Sequence, residues 1–421
     1  MSEKKHKERR RRERAQKEEP KVNKISDVKM AYIMYGKKVF IIPIVIAIIL
    51  GAIIWGIVYN ARKDNTPQET ADNQKEQINY IWGEIKPGKR NTNNFTTVTS
   101  SDGVDVPVPT GYTASSASDE NSVNAGFVIY GGTEAVTDSN KWKAQCNRNQ
   151  YVWIPIADVS DMYWRDQTTG KKYGTTYTFT SSSYSKSSSN KREPQTTSYD
   201  IQSTYLTKYL NGMSREDFLM EIDFDKMLNS VATYGGYYIG RYETGDLSQA
   251  TPVVKRINTD INNQTWYTMW KKARKLTGTS AGVQMIWGIQ WDETLKWLID
   301  TGEKTYAEIA SDSTSWGNYK NNSFTYYTNT SKSIATKAKS KSVRIPSGAY
   351  EGTNANNIFD LAGNVHDWTL ESNGSGTGYG RNFRGSVYVN YGSYNPAADR
   401  SSYQPYDSDV GFGLRCTLFI K

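Results

Sequence analysis

The chain has 421 residues, enough for one large domain or two smaller ones, and its 30 Tyr and 12 Trp argue against disorder despite a hydrophobic fraction of 37%. Two Cys and two His are too few for a disulfide framework or a His/Cys zinc site. Charge is lopsided: residues 1–38 hold fourteen Lys/Arg and six Asp/Glu, while the remainder holds 38 and 37, so a basic tail precedes a nearly neutral body and nucleic acid is not an expected partner.

The tail contains KHKERRRRERAQKEEPK and reads as a topology signal and solvated arm, with anionic lipid or RNA binding as the rival. Val39 to Tyr59 (VFIIPIVIAIILGAIIWGIVY) is uncharged over 21 residues, which at ~1.5 Å per residue covers the ~30 Å hydrocarbon core as a helix. Pro43 lies in its first turns, and Trp55 and Tyr59 suit an interface. The excess of Lys/Arg before the span puts residues 1–38 in the cytoplasm and the rest outside, a single-pass type II arrangement in the cell membrane. A cleaved signal peptide is the rival, but the n-region is too long and no small-x-small site follows.

Residues 60–93 read as a polar linker or stalk. From 94 onward the chain alternates short strands and turns. GFVIYGG (126–132), YVWIPI (151–156) and GGYYIGRYETG (235–245) are strand-like, rich in aromatic and β-branched residues. Residues 175–200 are Ser/Thr-biased and predict a long exposed loop. Ser214 with Asp217 predicts a helix start, with Phe218, Leu219 and Ile222 opening its apolar face. Trp266, Met269, Trp270, Ala273 and Leu276, then Trp291, Leu295 and Leu298, follow helical spacing and read as core. Irregular alternation without a 20–50-residue repeat predicts an α+β fold rather than a doubly wound sheet.

Three stretches carry a resemblance: YVWIPI with the later GGYYIGRYETG, NNIFDLAGNVHDWTLE (356–371), and RNFRGSVYVNYGSYNPAADRSSYQPYDSDVGFGLRC (381–416). Together they resemble the formylglycine-generating enzyme (sulfatase-modifying factor) family, with its G-N-V-W-E-W and R-G-G-S-W…G-F-R motifs. The resemblance implies a C-type-lectin-like α+β domain over 94–421, with an insertion near 157–230. Non-catalytic relatives with this fold include the variable proteins of diversity-generating retroelements, which display a mutable binding surface, and this chain resembles that branch more.

The family's oxidase chemistry needs a copper-binding cysteine pair after R-G-G-S-W, and soft thiolates are what Cu(I) requires. Asn390 and Asn395 stand roughly where the pair would be, and no Cys lies between 147 and 415. Copper is therefore not expected, and neither is the enzyme. His366, the one histidine beyond the apolar span, replaces the family's Trp and reads as a surface or half-buried strand residue; one histidine cannot build a multi-His iron site. Cys146 and Cys416 are either a disulfide or separate buried thiols. The resemblance also implies a structural calcium held by Asp360, Gly363, Val365 and Asp367, hard oxygen donors of the kind calcium takes; the rival is that Asp360 caps a turn and Asp367 is a solvated strand residue. Trp316 to Tyr319 loosely resembles another ligand-bearing stretch.

The segment 386–409 has five Tyr, five Ser, two Asn and three Asp, and little to fill a core. Tyr with small polar residues is the composition of adaptable paratopes. The expected ligand contacts are Tyr388, Asn390, Tyr391, Ser393, Tyr394, Asn395, Asp399, Ser401, Tyr403, Tyr406, Asp407 and Asp409, set between framework residues Arg384 and Arg415. The predicted function is a membrane-anchored surface protein that binds an extracellular protein or glycan without catalysis. A formylglycine-generating-type oxidase and a structural cell-envelope protein are the alternatives, and a merely polar tethered loop is the bland reading of 386–409.

Overall fold

The computed structural model describes residues 84–194, 203–214, 217–218, 221, 224–373 and 380–421. The predicted tail, the span Val39 to Tyr59 and the linker up to 83 lie outside the described residues, as do Leu219 and Ile222. Among the described residues no helix is long and apolar enough to cross a membrane.

The chain opens with hairpin β1 (Phe95–Thr99) and β2 (Asp105–Pro109). Then come β3 (Tyr112–Ala114), β4 (Val128–Gly131), α1 (Lys141–Asn147) and β5 (Gln150–Pro155). Two further hairpins follow: β6 (Tyr163–Arg165) with β7 (Lys172–Gly174), and β8 (Thr176–Phe179) with β9 (Tyr184–Ser187). After α2 (Ser203–Tyr209) and α3 (Phe224–Tyr234), the chain enters β10 (Gly236–Gly240), α4 (Trp266–Arg274), β11 (Ala281–Met285), α5 (Gly288–Asp300) and α6 (Tyr306–Ala310). The last third holds β12 (Phe324–Tyr327), β13 (Ile334–Lys337), β14 (His366–Ser372), β15 (Arg381–Arg384), β16 (Arg400–Tyr403), β17 (Phe412–Leu414) and β18 (Cys416–Ile420).

Two sheets organise this α+β domain. The larger runs β11-β18-β10-β5-β4-β3, every pair antiparallel. Its middle strands read as unbroken apolar and aromatic runs because both faces are covered. On β10, Tyr237 points to α5 and donates to the Gln290 carbonyl at 2.5 Å, while Tyr238 points the other way and donates to the Pro107 carbonyl at 3.0 Å. The smaller sheet runs β16-β15-β14-β17, with β14 and β17 parallel. Thr265 caps α4 by accepting from the Thr268 amide at 3.2 Å, and Trp266, Met269, Trp270 and Ala273 form its buried stripe; Leu276 lies past its end. Ser214 accepts from the Asp217 amide at 3.0 Å, and Phe218 is buried against Trp270 with ring centroids 4.7 Å apart.

Within the 175–200 stretch, whose Ser/Thr content predicts a long exposed loop, residues 176–187 form a hairpin instead. Alternating Thr and Tyr give it strand character, and the β8–β9 hairpin buries Tyr177, whose hydroxyl donates to Glu293 at 2.5 Å. Glu193, also buried, accepts from the Gly288 and Ile289 amides at 2.7 and 2.6 Å, so the insertion supplies a carboxyl cap for α5, one that burial and the nearby Glu371 push up to about 8. Residues at the end of the predicted linker also dock on the domain: the Gly88 amide donates to Thr233 Oγ1 at 2.7 Å, and Arg90 Nε donates to the Thr233 carbonyl at 3.0 Å.

Glu120 and Arg241, both buried, cross-brace the larger sheet at 2.6 Å. Burial alone would raise the Glu120 pKa, but the Arg241 charge and the donors Ser115, Arg241 and Gln145 outweigh it and hold it at about 2. A carboxyl depressed in the fold stabilises above its ordinary 4.5 and loses that stabilisation as pH falls toward 2. We expect about 3 kcal/mol to be lost across that window. Urea midpoints for Glu120→Gln should show a correspondingly flatter acid limb than wild type; parallel limbs would reject the assignment.

Candidate ligand-binding surface

The smaller sheet separates charge from aromatic surface. Register pairs Asp367 with Arg384 and Arg384 with Arg400, so these share its inner face. Arg384 pairs with Asp292 of α5; Arg400 reaches Asp292 at 2.6 Å and Glu371 at 3.0 Å, and all but Arg400 are almost fully buried. Arg400 also donates to the Tyr177 carbonyl at 3.2 Å, and Arg192 lies 3.4 Å from Glu371, so the same cluster fastens the insertion. Arg384 thus serves the framework role the sequence suggests, through side-chain charges that neither Asp292 nor Glu371 announces in the sequence.

The opposite face carries His366, Trp368, Phe383 and Phe412. His366 and Phe383 have centroids 4.2 Å apart, Phe383 and Phe412 5.2 Å, and Tyr403 of edge strand β16 lies 5.5 Å from Phe412. After β15 the chain turns through Gly385 (φ +82°) and Ser386 (φ +67°). A Cβ on Gly385 would meet the Leu361 carbonyl at 2.9 Å and the Trp291 ring at 3.0 Å, so only glycine fits this turn. The segment that follows lies beside the aromatic face: Tyr388 N–H donates to the Asn364 carbonyl at 3.1 Å, and His366 N–H to the Gly411 carbonyl at 2.8 Å.

The structure divides the twelve sequence-predicted contacts. Tyr391, Ser393, Tyr394, Ser401, Tyr403 and Asp409 are exposed. Tyr391 and Tyr394 form an edge-on pair at 5.9 Å, and Tyr394 is 80% exposed. The other six are half-buried. Asn390 donates to Ser386 at 3.3 Å, and its carbonyl accepts from the Lys320 amide at 2.9 Å. Asn395 donates to Asp399 at 3.4 Å, and burial raises the Asp399 carboxyl. Tyr406 stacks on Tyr205 of α2 at 4.5 Å, so it serves the insertion. Tyr388 and Asp407 lie at the margin. Sequence reasoning passed over Val389 and Val410, 45% and 53% exposed in the same segment; an apolar residue stranded among polar ones was the available signal. Five of the seven large hydrophobic side chains left exposed in the described residues fall within 389–410.

Of the four residues implied for calcium, Asp367 is paired with a guanidinium. Arg415 Nε donates to Asp367 at 2.9 Å, and its other nitrogens donate to the carbonyls of Gly240, Phe359 and Asp360 at 2.9, 2.9 and 3.2 Å. The Asp360 carboxylate accepts from the Gly348 amide at 2.6 Å, from Thr353 at 2.8 Å and from Ser347 at 3.2 Å. Val365 N–H and the Asn364 amide donate to Glu243 at 3.2 and 2.6 Å. Gly363 lies in a turn at φ +76°, its N–H donating to the Gly385 carbonyl at 2.6 Å. Among the described residues no group of three or more His, Cys, Asp or Glu is placed to hold a metal ion. Asp360, which is buried, fastens the 347–353 segment through its carboxylate; Asp367, equally buried, is not a solvated strand residue. Burial raises Asp367 to about 6 despite Arg415. Of the Trp316 to Tyr319 stretch, Asn318 is buried and donates to Asn364 at 3.0 Å.

Cys146 and Cys416 are separate, buried thiols. Cys416 lies within β18, accepts from the Thr244 hydroxyl at 3.2 Å, and is pushed by burial to about 12. A neutral thiol within a strand is neither nucleophile nor soft-metal ligand. His366, half-buried on β14, is lowered by burial to about 3 and stays neutral. We expect Ellman's reagent to titrate two thiols in denaturant and far fewer in the native protein within minutes; rapid reaction of either would reopen thiol chemistry.

No protein-family model and no curated protein matches the sequence. Solved structures similar to the chain include Treponema denticola variable protein 1, at 15% identity and TM-score 0.29 over 44% of this chain and 84% of that one. CarF is another, at 13% identity and TM-score 0.30 over 44% and 87%.

Proposed function

We propose that residues 386–411 form the ligand-binding surface of a non-catalytic, C-type-lectin-like domain held at the cell surface by Val39 to Tyr59. The observation that carries this reading is the concentration of exposed aromatic and apolar side chains there, above a rigid charged floor. Contiguous exposed apolar surface rimmed by polar groups marks interaction sites, and Tyr anchors supply contact area at low entropic cost. The two-layer arrangement of a large antiparallel sheet and a small sheet bearing 386–411 suits the lectin-like assignment, with the retroelement-type variable surface as its functional analogue.

The charge of the surface favours a protein over an acidic glycan. Between 386 and 411 the single basic residue is Arg400, which turns inward to Asp292 and Glu371, whereas Asp407 and Asp409 stay at the surface. Anionic, aromatic surface suits Lys/Arg-bearing segments through charge and cation–π contact. The test is panning of a phage-displayed random peptide library against the full chain. Enriched peptides should be basic and aromatic, and should lose binding to the Tyr391→Ala/Tyr394→Ala/Tyr403→Ala variant. Peptides that bind that variant equally well would refute the assignment.

A further inference from the structure

Lys337 ends β13 and is 1% exposed. A lysine is almost never fully buried unless it is paired. Its acceptors are three oxygens of one turn, none of them a carboxylate. It donates to the Tyr319 carbonyl at 2.5 Å, to the Asn322 carbonyl at 2.7 Å and to Asn322 Oδ1 at 3.2 Å. An ammonium has three donors and no acceptor, so three oxygens satisfy it. The ring of Phe324, its register partner on β12, lies 5.1 Å from the nitrogen. Burial lowers the lysine to about 8, so it keeps its proton at neutral pH.

The turn it holds also carries part of the exposed aromatic surface. Residues 319–322 close with the Asn322 amide donating to the Tyr319 carbonyl at 3.5 Å. The Lys320 N–H donates to the Asn390 carbonyl at 2.9 Å, and the Gly392 N–H donates to Asn321 Oδ1 at 3.3 Å. These two bonds bracket Tyr391. The Tyr394 and Asn395 amides both donate to the Tyr391 carbonyl at 3.0 Å. Asn322 Nδ2 ties the turn back to the Thr314 and Gly317 carbonyls at 2.9 and 2.6 Å, its near neighbours in the chain. Lys337 and Ser340, whose amide donates to the Lys320 carbonyl at 2.8 Å, tie it instead to the end of β13.

We propose that Lys337 is a positioning residue of the binding surface: its ammonium, set in the three oxygens of the 319–322 turn, fixes the backbone that presents Tyr391 and Tyr394. That role rests on 386–411 being the ligand-binding surface. Aromatic anchors held in place beforehand leave less ordering to be done on binding. A neutral side chain of the same length would fill the space but leave the three oxygens without their donor.

The test is hydrogen exchange, read by mass spectrometry on the full chain in neutral detergent without ligand. Lys337→Met should speed exchange of peptides covering 319–322 and 390–395 about tenfold, with the β10 peptide 236–240 unchanged. Lys337→Ala leaves room for n-propylammonium, which should restore slow exchange, whereas 1-propanol, of similar size and uncharged, should not. Where Lys337→Ala does not fold, Lys337→Met alone decides. Wild-type exchange in Lys337→Met, equal acceleration in 236–240, or equal rescue by 1-propanol would overturn the proposal. A panned peptide titrated against the same variants separates this role from the surface itself. Affinity lost in the triple tyrosine variant but kept in Lys337→Met would leave the surface standing and remove the role of the lysine. Affinity indifferent to the tyrosines, with exchange still coupled to Lys337, would refute the surface and keep the anchor of the turn.

Discussion

Tyr394→Ala should leave the unfolding midpoint within about 0.5 kcal/mol of wild type, as for surface substitutions generally, while weakening binding of an enriched basic peptide about 30-fold. Tyr394 is 80% exposed and its ring meets that of Tyr391 edge-on, so folding gains little from it. An aromatic anchor at the centre of an interface is worth ~2 kcal/mol or more, which is that 30-fold change. Tyr391→Ala should behave alike. Tyr403→Ala should cost more stability, because its ring also covers Phe412 at 5.5 Å. Titration by calorimetry alongside urea melts separates the two effects. A Tyr394 variant with full affinity would remove the centre of the surface from where we place it.

Arg384→Ala should be the most destabilising single change in the smaller sheet. It strips the buried Asp292 of one of its two guanidinium partners and the buried Glu371 of one of its three. Removing one partner of a buried ion pair leaves an uncompensated charge and costs about 3–5 kcal/mol. The loss should extend to the insertion, since Glu371 also faces Arg192 and Arg400 also holds the Tyr177 carbonyl. Limited proteolysis between 180 and 192 should therefore accelerate together with the fall in the urea midpoint. A loss below about 1 kcal/mol would mean that Arg400 and Arg192 neutralise the cluster without Arg384.

Local pattern alone located much of the domain. The Trp266/Trp270 and Trp291/Leu295 stripes appear as α4 and α5, and YVWIPI and GGYYIG as the middle strands β5 and β10, because periodicity and β-branched content are properties of neighbours in the chain. The Tyr/Ser/Asn/Asp bias of 386–409 was likewise visible, since composition needs no fold. Division of that segment was not. Tyr406 and Tyr394 look alike in sequence, and only the docking of α2 turns one inward. The Ser/Thr content of 175–200 misled for a related reason: Glu193 and Tyr177 are buried by contacts with α5, about a hundred residues further along.

What the sequence determined by itself was which stretches could be strand, helix or span, and that thiol and multi-histidine chemistry lacked the necessary atoms. Tertiary structure alone decided which charges meet. Asp292 and Arg384, or Asp367 and Arg415, stand 92 and 48 positions apart, and the packing of α5 and of the strands brings them together. The second pairing sets the Arg415 guanidinium against the buried Asp367 carboxylate. The physical reason is range: backbone preference is settled within a few residues, whereas desolvation and Coulomb energy depend on neighbours that only the packed chain supplies.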